Sequence, residues 1–302
     1  MTQAASPLER APEAIAAGRL LYLKREDGHE LGSFKWRGAL PALEGYRASG
    51  ATAVVTASTG NHGVATAWAA RRLGLEAVVF VPRYASQTKT ARIEQLGAEL
   101  RCVGSDFDEA KSHAAAFAAA QGLPFFEDGL EPVQFGGYRS IGAEIVRQLG
   151  GAPGTVVVPV GNGALIGGVA EALSGSGARV VGVVARAAPV MADSVEASRV
   201  VASHGGTTFA DGLAVRVAIP YAVARIRPLV SRMVRVSERQ IALALGRLAR
   251  SGIRVEGAAA AALAGLELLE RPAEPVVLVL TGCNIDDALF ERACTDPGSF
   301  PA

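Results

Sequence analysis

The stretch AVVTASTGNHG, residues 53–63, decides the fold. An apolar run stops at Ser58, Thr59 and Gly60, and from Asn61 to Leu73 apolar side chains recur three and four residues apart. A strand that passes through a polar, glycine-containing turn directly into an amphipathic helix is the repeating unit of a parallel α/β sheet, and ligands of such sheets gather at the carboxyl ends of the strands. The same punctuation recurs outward in both directions. Apolar runs at 20–24, 77–81, 100–103, 155–160, 179–184 and 276–280 alternate with helical periodicity at 87–96, 106–120, 139–149 and 236–250. Loop signals stand at 150–154 (GGAPG), 174–177 (SGSG) and 203–208. The predicted class is α/β with largely parallel strands.

Bulk properties narrow the function. A chain of 302 residues reaches the size at which single cores stop growing, so two lobes are expected. Half of the residues are apolar and a fifth charged, which is a folded composition, and the net charge of +1 carries no basic stripe for nucleic acid or an anionic membrane. The expected partner is a small molecule. No apolar run approaches the ~20 residues that span a bilayer, and the opening MTQAASPLERAPE lacks the apolar segment of a secretory signal. Cys102, Cys283 and Cys294 are odd in number and widely spaced, so they build neither a disulfide framework nor a CxxC site. A reducing cytoplasm fits them best.

Four places concentrate chemistry. Lys35 follows the strand at 20–24 and opens a helix between Phe34 and Trp36, where apolar neighbours favour a neutral, nucleophilic amine; an ordinary surface lysine fits the same local pattern. The turn Ser58, Thr59, Gly60, Asn61, His62 offers hydroxyls and backbone N–H groups at a helix start, suited to a carboxylate or, more plainly, to helix capping. His62 has no partner visible in the sequence and is not read as a base. Gly161, Asn162, Gly163, Ala164 and Leu165 form a second strand-to-helix turn whose spacing, GxGxxxG, matches neither the dinucleotide nor the P-loop pattern. It suits a phosphate or a tight turn alone. Thr281 ends the strand at 276–280 and places a hydroxyl at its carboxyl end, followed by Cys283, which is read as a structural thiol.

In order and spacing these segments resemble the fold-type II pyridoxal-phosphate enzymes, the group of threonine and serine dehydratases, serine racemase and threonine synthase. LKRED at 23–27 with GSFKWRGA at 32–39, TASTGNHG at 56–63, PVGNGAL at 159–165, TTFADGLAV at 207–215, VEGAAA at 255–260 and TGCNID at 281–286 are similar to the family's blocks in that order. The resemblance implies two open, twisted, mostly parallel sheets flanked by helices, with the active site in the cleft between a large cofactor-binding domain (1–48 and 131–302) and a small domain (49–130). It implies that Lys35 carries pyridoxal 5′-phosphate and acts as the base, and that Phe34 adjoins the cofactor. Asn61 then bonds the ring hydroxyl, the turn at 161–165 cradles the phosphate and Thr281 faces the pyridine nitrogen. Ser58, Thr59, Gly60, Asn61 and His62 hold the substrate carboxylate.

The implied reaction is β-elimination from a β-hydroxy amino acid such as L-threonine or L-serine, giving a 2-oxo acid and ammonia. Thr281, a neutral hydroxyl, would leave the ring nitrogen unprotonated and favour elimination. β-Replacement, as in threonine or cysteine synthase, and racemisation are the alternatives. A cytoplasmic homodimer is the implied assembly.

Departures from the family matter too. Asn162 and Ala164 replace two glycines of the cradle, which requires negative φ there or the αL tolerance of asparagine. Thr59 stands where the racemases carry a serine, which disfavours racemisation. Val184 occupies the place of a cation-binding glutamate, so no metal site is expected. Loops at 135–138 and 185–192 are expected to touch the β-substituent, and Ala187, Ala188 and Pro189 suggest that it is apolar.

Overall fold

Each parallel strand delivers its carboxyl end to the same sheet edge as its neighbours. In the computed structural model, which describes residues 4–83, 85, 87–201 and 206–302, the strands are β1 (Leu8–Arg10), β2 (Leu21–Arg25), β3 (Ala53–Ala57), β4 (Glu76–Val81), β5 (Glu99–Cys102), β6 (Thr155–Pro159), β7 (Arg179–Ala185), β8 (Arg232–Val236) and β9 (Val276–Leu280). They form a six-stranded sheet, β1-β2-β9-β6-β7-β8, and a three-stranded sheet, β3-β4-β5. Only β1 is antiparallel to its neighbour. Two open, mostly parallel sheets flanked by helices are what the resemblance implies.

The chain divides into two compact units, one of residues up to Phe34 with Tyr138–Ala302 and the other Lys35–Gly137. These boundaries fall earlier than 48 and later than 130. The first unit holds the six-stranded sheet. Its central strands β6 and β9 are buried at every residue and read as unbroken apolar runs, the signature of a parallel strand covered on both faces. The helix Gly257–Leu266 is buried at all ten positions, and its small Ala and Gly side chains let it lie close upon β6 and β9. The second unit holds β3-β4-β5, and Phe125 extends that sheet by a parallel bridge to Val55.

Some expectations are corrected. The helix expected at 236–250 begins at Glu238, because Ser237 forms a reciprocal capping box with Gln240, and Val236 belongs to β8. β8 was not expected at all: Arg232 and Arg235 interrupt its apolar run, yet it pairs in register with β7. The helix expected from 139 starts at Pro132, so residues 135–138 are helical rather than a loop. A helix also spans Val190–Ala197, which leaves only 186–189 of the expected 185–192 loop. Asp106 is the N-cap of the helix Phe107–Gln121, its side chain accepting from the Glu109 N–H. Of the 203–208 loop, residues 203–205 lie outside the described residues.

Candidate active site

Lys35 sits immediately before the helix Trp36–Ala48, and its carbonyl accepts from the N–H groups of Gly38 and Ala39. Its amine was expected against apolar surface. Instead Nζ lies 2.5 Å from Asp128 Oδ2, an ion pair that the sequence did not disclose. The chain at 124–126 runs beside β3, with the Val55 N–H donating to Pro124 O and the Phe126 N–H to Val55 O. Asp128 therefore emerges at the carboxyl edge of that sheet, beside the turn that ends β3.

That turn carries the second group. The helix Asn61–Leu73 has Gly60 as its N-cap, so neither Ser58 nor Thr59 caps it. Ser58 Oγ accepts from the Gly60 N–H at 3.1 Å, which folds the turn back on itself. First-turn N–H groups of a helix lack intrahelical acceptors, so Asn61, His62 and Gly63 present an anion-binding start. His62, thought to be without a partner, has several. Nε2 lies 3.1 Å from Thr56 Oγ1 and 3.2 Å from Phe126 O, and Nδ1 lies 3.5 Å from Asp128 Oδ1. Burial pushes the His62 imidazole below its ordinary pKa, against the opposing pull of Asp128, so the ring is held neutral.

The third group belongs to the other unit. β6 ends in Gly161, Asn162 and Gly163, and the helix Ala164–Ala172 follows with Gly163 as its N-cap at φ +92°. A Cβ on Gly161 would stand 2.4 Å from Gly212 O, so the backbone of 161 and the Asp211–Leu213 turn meet with no side chain between them. Asn162 and Ala164 both keep negative φ, the first of the two conditions set by the sequence. Asn162 Oδ1 accepts from the Ala164 N–H at 3.1 Å, an arrangement glycine could not make. β9 ends in Thr281, whose hydroxyl is buried and donates to Glu256 Oε1 at 3.4 Å. Glu256 is thus an acceptor for the Thr281 hydroxyl proton. The Phe34 N–H donates to Thr281 O and Ser33 bridges Gly282, which fixes the residues just before Lys35 on the end of β9. Phe34 meets the Tyr138 ring edge-on, with centroids 5.0 Å apart. Cys283 is half-buried, its thiol directed at Asp27 O.

Residues 1–282 match the family model described as "Pyridoxal-phosphate dependent enzyme". The chain belongs to this family. Members similar to it include the L-threonine ammonia-lyase of Thermotoga maritima, 35% identical over 283 residues covering 91% of this chain and 70% of the relative. Another is the L-threonine ammonia-lyase of Geobacter sulfurreducens, 36% identical over 291 residues, 93% of this chain and 72% of the relative. Among solved structures, the processed form of threonine deaminase isoform 2 from Solanum lycopersicum superposes with a TM-score of 0.92 at 32% identity, covering 98% of this chain and 89% of that one.

As a member of the pyridoxal-phosphate dependent family the chain uses pyridoxal 5′-phosphate, and its residues fit that group. Lys35 would supply the amine. Both glycines of the Gly161–Gly163 turn sit where a Cβ would collide with neighbouring atoms, and the turn opens a nine-residue helix whose start is buried and favours an anion. No helix is long and apolar enough to cross a membrane, and no group of three or more His, Cys, Asp or Glu able to hold a metal occurs, among the described residues. Asp128 and Glu256 are the two site residues that sequence reasoning missed. Asp128 follows another acid, Glu127, and Glu256 stands at the N-cap of Gly257–Leu266, and only the fold assigns the partner of each.

Proposed function

We propose that the chain is an ammonia-lyase that removes water from a β-hydroxy amino acid, L-threonine or L-serine, to leave a 2-oxo acid and ammonia. The observation that carries this reading is the amine of Lys35, held at a helix start beside Asp128 and followed along the chain by two anion-binding turns. The relatives named L-threonine ammonia-lyase support the choice of reaction.

Lys35 holds the cofactor. The turn Ser58, Thr59, Gly60, Asn61 and His62 binds the substrate carboxylate, through groups other than the N–H of Ser58 and of Gly60, which donate to Phe80 O and Ser58 Oγ, and so orients its Cα–H bond, an entropic contribution to rate. The turn Gly161, Asn162, Gly163, Ala164, Leu165 takes the phosphate. Asn61 would hold the ring hydroxyl, and Phe34 and Thr281 would hold the ring. Bound pyridoxal phosphate supplies a conjugated ring that takes up charge developing at Cα. Lys35 Nζ accepts the Cα proton as general base. The C–H electron pair becomes the Cα–Cβ double bond, the β-hydroxyl leaves as water with one added proton, and the unsaturated amine released hydrolyses to 2-oxo acid and ammonia.

The same reading makes the protein a cytoplasmic homodimer; sedimentation of the purified enzyme tests the dimer, and fractionation of cells tests the location. The reaction is tested by measuring ammonia and 2-oxo acid from L-serine and L-threonine. Lys35→Ala is expected to abolish both products together with borohydride-stable attachment of the cofactor. Undiminished ammonia release by that variant would refute the assignment.

A further inference from the structure

Lys35 and His62 meet at one carboxylate. Asp128 Oδ2 pairs with Lys35 Nζ at 2.5 Å, and Oδ1 faces His62 Nδ1 at 3.5 Å. The neighbouring acid, Glu127, is engaged elsewhere, in an ion pair with Lys111. Hydrogen-bond accounting fixes the imidazole. The Thr56 hydroxyl gives its hydrogen to Phe126 O at 2.7 Å, so its oxygen and that carbonyl both offer lone pairs to His62 Nε2. Nε2 therefore carries the ring hydrogen, a tautomer assigned from its partners. The neutral ring then presents the Nδ1 lone pair to Asp128 Oδ1. Nδ1 is thus the ring's acceptor nitrogen, and it lies 3.5 Å from Asp128 Oδ1.

We propose that Asp128 is a positioning residue that aims Nζ of Lys35 and pairs with it each time it holds a proton, with His62 behind the carboxylate as a second proton acceptor. The inference rests on the reading of Lys35 as cofactor lysine and base. In turnover the bond from Cα to hydrogen breaks and an N–H bond forms on Nζ. The ammonium so made faces Asp128, and the proton is shared along Nζ, the carboxylate and Nδ1 until the departing hydroxyl takes it as water. Within the trio Lys35 and Asp128 carry charge, and the further charges that face it are Glu127 and its partner Lys111. The trio is built entirely within residues 35–137, so its geometry belongs to one unit.

The experiment compares D128N, D128E and the wild type as purified full-length protein. Three quantities are read: the rate at which cofactor-free protein turns yellow with added pyridoxal phosphate, and kcat and KM for L-threonine. Misplacement of a catalytic group by about 1 Å costs on the order of 10²-fold, so D128N is expected to lose about 10- to 100-fold in kcat with KM changed less than about threefold. It is also expected to capture cofactor more slowly, and D128E to recover part of both losses. D128S is the second variant should D128N not accumulate in folded form, and the same losses are expected of it. Wild-type kcat and capture rate in D128N or D128S would overturn the proposal. Mapping the borohydride-reduced wild-type enzyme separates the two claims. Attachment at another lysine overturns the Lys35 reading and this inference with it, whereas attachment at Lys35 with an unaltered Asp128 variant overturns the role of Asp128 alone.

Discussion

Replacing Gly163 by alanine puts a Cβ on a residue at φ +92°, 2.9 Å from Met191 Cε and 3.2 Å from Ala222 Cβ. The left-handed backbone costs an L-residue about 1–2 kcal/mol. Overpacking adds about 1–3 kcal/mol, towards the low end here because Met191 Cε is the end of a flexible side chain. The expected destabilisation is therefore about 2–3 kcal/mol. Relief of the strain would move the start of the helix Ala164–Ala172, so affinity for pyridoxal phosphate should fall as well. Gly60 provides the control. It caps the helix of the other anion-binding turn at φ −132°, and a Cβ there meets nothing within 4 Å. Gly60→Ala should stay within about 0.5 kcal/mol of wild-type stability while raising KM for substrate. The assay is urea unfolding of cofactor-free protein together with an absorbance titration by pyridoxal phosphate. A Gly163→Ala protein with unchanged unfolding midpoint and cofactor affinity would refute the cradle.

Two further predictions concern buried charge. Lys24 is fully buried, its ammonium bonded to Glu144 Oε2 at 2.6 Å, Gln148 Oε1 at 2.9 Å and Ser6 O at 2.7 Å. Glu144→Ala removes the carboxylate bonded to that buried cation, so a loss of about 3–5 kcal/mol is expected, read by calorimetry as a melting temperature lower by on the order of 10 °C. An unchanged melting temperature would show that the remaining oxygens suffice. His62 gives the second. Its folded pKa is depressed by burial, so below the ordinary value of 6.5 the unfolded chain binds a proton that the folded one refuses. Its contribution to stability is therefore present above about pH 6.5 and is lost as pH falls from there towards the depressed value, by up to about 1.4 kcal/mol per pH unit. His62→Gln should flatten the stability profile in that acidic window relative to wild type, and parallel profiles would contradict the neutral, buried ring.

What the sequence discloses depends on how far apart the cooperating residues lie. β3, β6 and β9 are legible because each is an apolar run that stops at a polar turn, and the helix Asn61–Leu73 because its apolar spacing starts at once. β8 is not, since Arg232 and Arg235 spoil the run and its pairing with β7 is a tertiary fact. The start of the following helix is written locally in Ser237 and Gln240, a capping box that outweighs the apolar character of Val236. Lys35 is legible as a residue of interest, but its environment is not. Asp128 lies 93 positions away, in a segment of no clear period, and reaches Lys35 only because the chain at 124–126 adds itself to the edge of β3. Thr281 and Glu256 are likewise separated by the helix Gly257–Leu266 and all of β9.

The position of β9 has a consequence for biosynthesis. It lies between β2 and β6, the first pairing with it through Leu21–Arg25 and the second through Thr155–Val157, yet its own residues are Val276–Leu280. As the ribosome delivers the chain from its amino end, β2 and β6 emerge long before the strand that joins them. Until then each carries an open hydrogen-bonding edge flanked by apolar side chains, the kind of surface that recruits neighbours of the same sort. The contiguous segment Lys35–Gly137 has no such wait, since β3, β4, β5 and their covering helices are all synthesised before residue 138. One lobe can therefore assemble during translation while the other remains a nascent, half-zipped sheet, and crowding of polysomes falls on the larger lobe alone.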